Sequence, residues 1–90
     1  MSVMILPQRK AKIQWQCRRG MLELDLILIR FLQKGLDALT EPQLVAFETL
    51  LTYPDPVLLA WLMGQEKPSD EGLLDLLRMI RAQDTHIRGV

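Results

Sequence analysis

Proline and glycine are spaced along this chain so that helices fit between them and little else does. Pro7 precedes a polar, basic stretch, and a proline suits the first turn of a helix, where its missing N–H is unpaired anyway. Gly20 and Gly35 bracket the most apolar stretch. Thr40-Glu41-Pro42-Gln43 reads as a capping box, with the Thr40 hydroxyl accepting from the Gln43 N–H and the Gln43 side chain reaching back. Tyr53-Pro54 ends that segment. Asp55-Pro56 opens the next, as N-cap and first helical residue, and Gly64 stops it. Pro68 precedes Ser69 and Asp70, either of which suits a last helix start. No period-two alternation bounded by hairpin turns appears, so no strand is expected. The expectation is an all-α, compact bundle of five helices in one domain over residues 1–90. Its core spans about 8–82, with 1–6 and 84–90 loose.

Periodicity orients these helices. Within a helix running from about Gly20 to Lys34, Met21, Leu24, Leu28, Phe31 and Leu32 fall on one side and form a core stripe. Arg19, Glu23, Leu26 and Arg30 fall on the other, so charges alternate along an outward line. Leu26 and Ile27 beside that line are either an exposed docking edge or covered by another helix. Leu44, Phe47, Leu50 and Leu51 give the third helix its apolar face. Val57 to Met63 form a short helix apolar on most sides, which is usually central. Leu73, Leu74, Leu76, Leu77 and Ile80 face the core from the fifth. Asp70 and Glu71 begin that helix, and Arg78 and Arg81 end it, as the helix dipole favours. Ala11 and Trp15 share a face of the first helix, and Trp15 is expected in or against the core.

Zero net charge hides an asymmetry. Residues 1–20 carry Arg9, Lys10, Lys12, Arg18 and Arg19 and no acid, a net +5. Residues 21–90 hold six Lys/Arg against eleven Asp/Glu, a net −5. A basic arm on an acidic body hints at nucleic acid or membrane, but a solvated helix face is the commoner meaning of such a run. No uninterrupted apolar stretch approaches the roughly 20 residues that span a bilayer. No signal peptide is visible, and no transit peptide is apparent before the domain, so the expectation is a bacterial cytoplasm rather than a mitochondrial matrix.

Catalytic constellations are missing from the sequence. The five glycines are scattered and form no phosphate loop. Cys17 and His86 are single and far apart, too few for a metal site and without a partner for nucleophilic catalysis. Glu23 and Asp25 point about 200° apart on a helix, so they make no acid–base pair. Protein–protein docking fits better. Arginine is favoured at interfaces for its planar donors, and Gly20, lacking a Cβ, allows close approach while also suiting a helix cap.

Arg18-Arg19-Gly20-Met21-x-Glu23-Leu24-Asp25 resembles the signature of the FAD assembly factors of succinate dehydrogenase. The resemblance continues through Phe47, Leu50-Leu51, Asp55-Pro56, Trp61-Leu62-Met63 and Lys67-Pro68, over about residues 8–82. It implies a five-helix protein that is not itself an enzyme. Such a protein binds the flavoprotein subunit of succinate dehydrogenase, and in bacteria also that of fumarate reductase. It promotes covalent attachment of FAD to a histidine of that subunit. FAD is then attached to the partner, and no cofactor is held stably by this chain. The family's motif maps onto Arg19, Gly20 and Glu23, with Arg18 and Asp25 beside it. Leu22 fills a variable slot where some relatives carry a basic residue. Together with the outward line, the partner-binding residues expected are Arg18, Arg19, Gly20, Glu23, Asp25, Leu26 and Arg30. The free protein is expected to be a monomer, without nucleic-acid or membrane partners. An antitoxin-like or nucleic-acid-binding regulator using the basic arm is the alternative.

Overall fold

A computed structural model describes residues 6–83. Five helices follow in order: α1 Pro7–Gln16, α2 Leu22–Gly35, α3 Glu41–Leu50, α4 Asp55–Leu62 and α5 Glu71–Gln83, with a 3-10 turn at Leu36–Ala38 between α2 and α3. The described residues contain no strand. The expected looseness of the two ends and the solitary His86 concern residues 1–5 and 84–90, outside the described part.

The chain's own punctuation sets the helix limits. The Thr40–Gln43 box forms in both directions, Thr40 N–H to Gln43 Oε1 at 2.9 Å and Gln43 N–H to Thr40 Oγ1 at 3.3 Å. Leu73 N–H donates to Asp70 Oδ1 at 3.0 Å, so Asp70 caps α5. Gly64 adopts φ +76, which releases the chain from α4 at little steric cost. Two limits differ from the sequence reading. Asp55 lies inside α4 and the extended Pro54 takes the cap position. α2 starts at Leu22 rather than Gly20, after an extended Met21.

α5 is the hub. It lies against α2, α3 and α4, and α2 also meets α4. Its buried side is Leu73, Leu76, Leu77 and Ile80. α2 contributes Leu24, Ile27, Leu28 and Phe31, while Met21 and Leu32 pack at the margin. The Phe31 and Phe47 rings meet at 5.3 Å in the centre. Each such side chain contributes about 1.5–3 kcal/mol by leaving water. Truncating Phe31 or Phe47 to alanine would cost about 3–5 kcal/mol, a large share of what holds a domain this small. α4 buries Leu58, Trp61 and Leu62 and leaves Val57 and Met63 half-covered. Among the described residues no helix is long and apolar enough to cross a membrane.

The first helix departs most from expectation. Trp15 is 76% exposed, and Ala11 on the same face is exposed with it. Ile13 and the following Cys17 turn inward instead, one turn apart. The basic run is not simply solvated either. Arg9 donates to Glu48 through Nε at 3.0 Å and Nη2 at 2.6 Å, and to Glu41 through Nη1 at 2.8 Å. Lys10 Nζ comes within 3.9 Å of Asp37. Cations of α1 therefore fasten it to acids of the body, which lowers the charge left for nucleic acid.

Candidate functional site

The five residues between α1 and α2 form the site's frame. α1 closes at Cys17, whose N–H donates to Ile13 O at 3.1 Å and to Gln14 O at 3.3 Å. Arg18 N–H then reaches Trp15 O at 3.1 Å. Beyond that point the chain is held by side chains.

Arg19 does most of the holding. Because α2 begins three residues later, Arg19 is not on the outward face of a helix, contrary to the periodicity reading. Its guanidinium turns inward and its side chain is only 16% exposed. Nε donates to Asp55 Oδ1 at 2.7 Å. Nη1 donates to Gln16 O at 3.1 Å and Leu51 O at 2.8 Å, and Nη2 to Tyr53 O at 2.8 Å. Four donors of one planar group thus tie the end of α1, the end of α3 and the start of α4 together. Lysine, a single point donor, has no equivalent geometry.

Asp25 secures the same loop from the other side. Its Oδ1 accepts from the Arg19 N–H at 2.7 Å and its Oδ2 from the Gly20 N–H at 3.3 Å. A carboxylate in the first turn of α2 also suits the helix dipole. Gly20 is left on the outside with φ +84, and a Cβ built there would meet nothing within 4 Å. Its glycine is therefore required by the turn's left-handed backbone and not by crowding within this chain. α1 already ends at Cys17, so Gly20 is the corner of the loop rather than the cap of that helix.

Around this frame lie the side chains that face out. Glu23 is exposed on the first turn of α2, and Arg18 is exposed on the loop; neither side chain has a hydrogen-bond or ion-pair partner among the described residues. Leu22 is 75% exposed and Leu26 41%. Ile27 is buried, which splits the two aliphatics left open by periodicity. Arg30 is half-buried one turn further on. Gly20, Glu23 and Leu26 therefore come together as surface, while Arg19 and Asp25 stand behind it. Asp55 was not singled out as a site residue. Its place depends on a contact 36 residues away, although the Asp-Pro pair had marked the position.

The site's chemistry is that of contact. Burial pushes the Cys17 thiol up to about 12, far from a working nucleophile. No group of three or more His, Cys, Asp or Glu among the described residues is placed to hold a metal. Exposed charge, an exposed glycine and exposed aliphatics on a clamped loop suit a protein surface.

The chain is similar over most of its length to known proteins. The sequence model of the family described as "Flavinator of succinate dehydrogenase" matches residues 11–84. The chain is 53% identical over 77 residues to FAD assembly factor SdhE of Legionella pneumophila (strain Lens), covering 86% of this chain and 96% of that protein. It is 41% identical over 81 residues to the Vibrio cholerae protein of the same name, covering 90% and 94%. The solution structure of a UPF0350 protein superposes with a TM-score of 0.80 at 40% identity, covering 94% of this chain and 92% of that one.

Proposed function

The chain belongs to the flavinators of succinate dehydrogenase, whose curated members are named FAD assembly factors and not enzymes, and on that premise we propose that it binds the flavoprotein subunit of succinate dehydrogenase and promotes covalent attachment of FAD to it. The flavoprotein subunit of fumarate reductase is a second client of the same chemistry. The factor works in a bacterial cytoplasm, as a monomer when free, and holds no cofactor of its own. The observation that carries this reading is the division of labour in the loop. Arg19 and Asp25 spend their hydrogen bonds inside the fold, and Gly20 and Glu23 are thereby presented outside it.

The factor contributes no reacting group. The bond to the client's histidine forms through the flavin's own reactivity. What the factor adds is orientation: by binding the client it holds histidine and flavin in line, which replaces a rare encounter with a fixed one. Glu23 and Arg18 make charge-assisted hydrogen bonds to the client, and Gly20 lets its backbone come close. Leu26 and Arg30 extend that surface along α2. Arg19 and Asp25 act through the loop they position.

The test is flavinylation of the client in cells whose only copy of the factor carries Glu23→Ala, read as in-gel flavin fluorescence of the subunit. Flavinylation is expected to be lost. The variant should melt with the wild type, within about 0.5 kcal/mol, because Glu23 is an exposed residue. Full flavinylation, or an unfolded variant, would remove Glu23 from the contact surface.

A further inference from the structure

Arg19 holds the motif loop, and most of what holds Arg19 comes from the turn between α3 and α4. That turn and the start of α4 supply the carbonyls of Leu51 and Tyr53 and the carboxylate of Asp55. The turn is itself firmly tied. Thr52 donates to Thr49 O through its N–H at 3.0 Å and its hydroxyl at 2.6 Å, and Tyr53 N–H donates to Leu50 O at 3.1 Å. Pro54 O accepts from the N–H groups of Val57 and Leu58, each at 3.1 Å. The Tyr53 ring stands edge-on to buried Trp61 with centroids 4.8 Å apart. Of the three acceptors, Asp55 alone offers a side chain and a charge, so its bond to Nε is of the stronger kind.

Resting on the function proposed above, we infer that Asp55 is a positioning residue for contact with the flavoprotein subunit: through Arg19 it sets where Gly20 and Glu23 stand. Arg19 is pulled from two sides. Its backbone N–H is held by Asp25 in the first turn of α2, and its side chain by Asp55 in the first turn of α4. Gly20 follows directly, so the corner of the loop and the entry into α2 depend on both ties. Bonds at Nε, Nη1 and Nη2 together leave the planar guanidinium one orientation, and losing the Nε bond removes one of those constraints. Contact groups work only when held within roughly 0.5 Å of the productive geometry. Asp55 has a second reason to be acidic, because a carboxylate in the first turn of α4 suits the helix dipole. That role alone predicts a less stable fold with unchanged contact, and the two roles part at the client.

The experiment uses the whole factor and the apo-flavoprotein subunit, well below the melting temperature of each variant. Amide resonances of Gly20 and Glu23 report the loop in the free factor, and affinity reports the contact. Asp55→Ala is expected to move both resonances and to weaken binding about tenfold, the size of coupling found within one hydrogen-bond network. Asp55→Asn should recover most of the binding, since its amide oxygen still accepts from Nε. In a Glu23→Ala background, Asp55→Ala should weaken binding little further, because the group it positions is already gone. Should Asp55→Ala fail to fold, Asp55→Glu carries the test: it keeps a carboxylate at the start of α4 but moves it by one methylene, and the same displaced resonances and weaker binding are expected. A folded variant with unmoved resonances and wild-type affinity, while Glu23→Ala binds poorly, overturns the positioning role and leaves the function standing. Fully additive losses from Asp55→Ala and Glu23→Ala overturn it as well. Failure of the wild-type factor to bind the subunit overturns the proposed function itself.

Discussion

Arg19 and Asp55, 36 residues apart, are joined Nε to Oδ1 at 2.7 Å, with both side chains largely withdrawn from solvent. The pair closes the motif loop onto the start of α4. The arginine of a surface motif is in this way an internal brace.

Arg19→Ala is expected to destabilise the fold by about 2–3 kcal/mol, since it strands Asp55 and frees the carbonyls of Leu51 and Tyr53. For a domain of this size that is a fall of roughly 10 °C or more in melting temperature. Arg19→Lys should recover little of it, because an ammonium cannot reach acceptors in three directions. Thermal unfolding followed by circular dichroism decides the matter, and an Arg19→Lys protein that melts like wild type would remove the brace.

Gly20 serves a turn and a surface, and two substitutions separate them. Gly20→Ala should cost about 1–2 kcal/mol through its left-handed backbone alone, as there is open space for the methyl group. Gly20→Asn should cost less, because asparagine enters that conformation more readily. It nevertheless adds a side chain to the contact face. The expected result is a near-normal melting point with weakened binding to the flavoprotein subunit. Unimpaired binding by Gly20→Asn would leave Gly20 as a turn residue only.

The Arg9–Glu48 pair gives the fold an acid-sensitive joint. Hydrogen bonding from Arg9 holds the Glu48 carboxyl below its ordinary value of 4.5. A depressed folded-state value contributes stability that is present above the unfolded value and lost as pH falls through the folded one. Urea midpoints should therefore decline below about pH 4.5 and decline less steeply in Glu48→Gln. Arg9 stays charged throughout this window, so carboxylate protonation alone sets the slope. Equal slopes for the two proteins would contradict the pairing.

Local chemistry made most of the fold legible. The Thr40–Gln43 box, the prolines at helix starts and the leucine faces of α2, α3 and α5 are set by neighbours in sequence, and each appears where its residues indicate, except that Leu74, expected inward, sits half-buried at the edge of the α5 face. Arg19 was misplaced because Gly20 and Met21 do not disclose where α2 begins. Its true partners, Leu51, Tyr53 and Asp55, come from a turn brought close only by the packing of α3 and α4. Trp15 was misjudged from the general tendency of tryptophan to be buried. The local signal was the Ile13–Cys17 pair, four residues apart, which claims the inward face and turns Trp15 out.

One consequence follows from how unequally the helices are anchored. α1 buries only Ile13 within its own length and lacks a side-chain cap at its start, whereas α2 and α5 are buried along whole faces. In native-state hydrogen exchange its amides belong to the first cooperative unit to open, at a free energy below that of global unfolding. The loop that follows need not open with it. Of the acceptors held by the Arg19 side chain, only Gln16 O belongs to α1, and Leu51, Tyr53 and Asp55 stay in place without it. The helix that carries Trp15 is thus held to the body by Ile13 and by the ion pairs of Arg9 and Lys10, and the motif loop keeps most of its own ties without it.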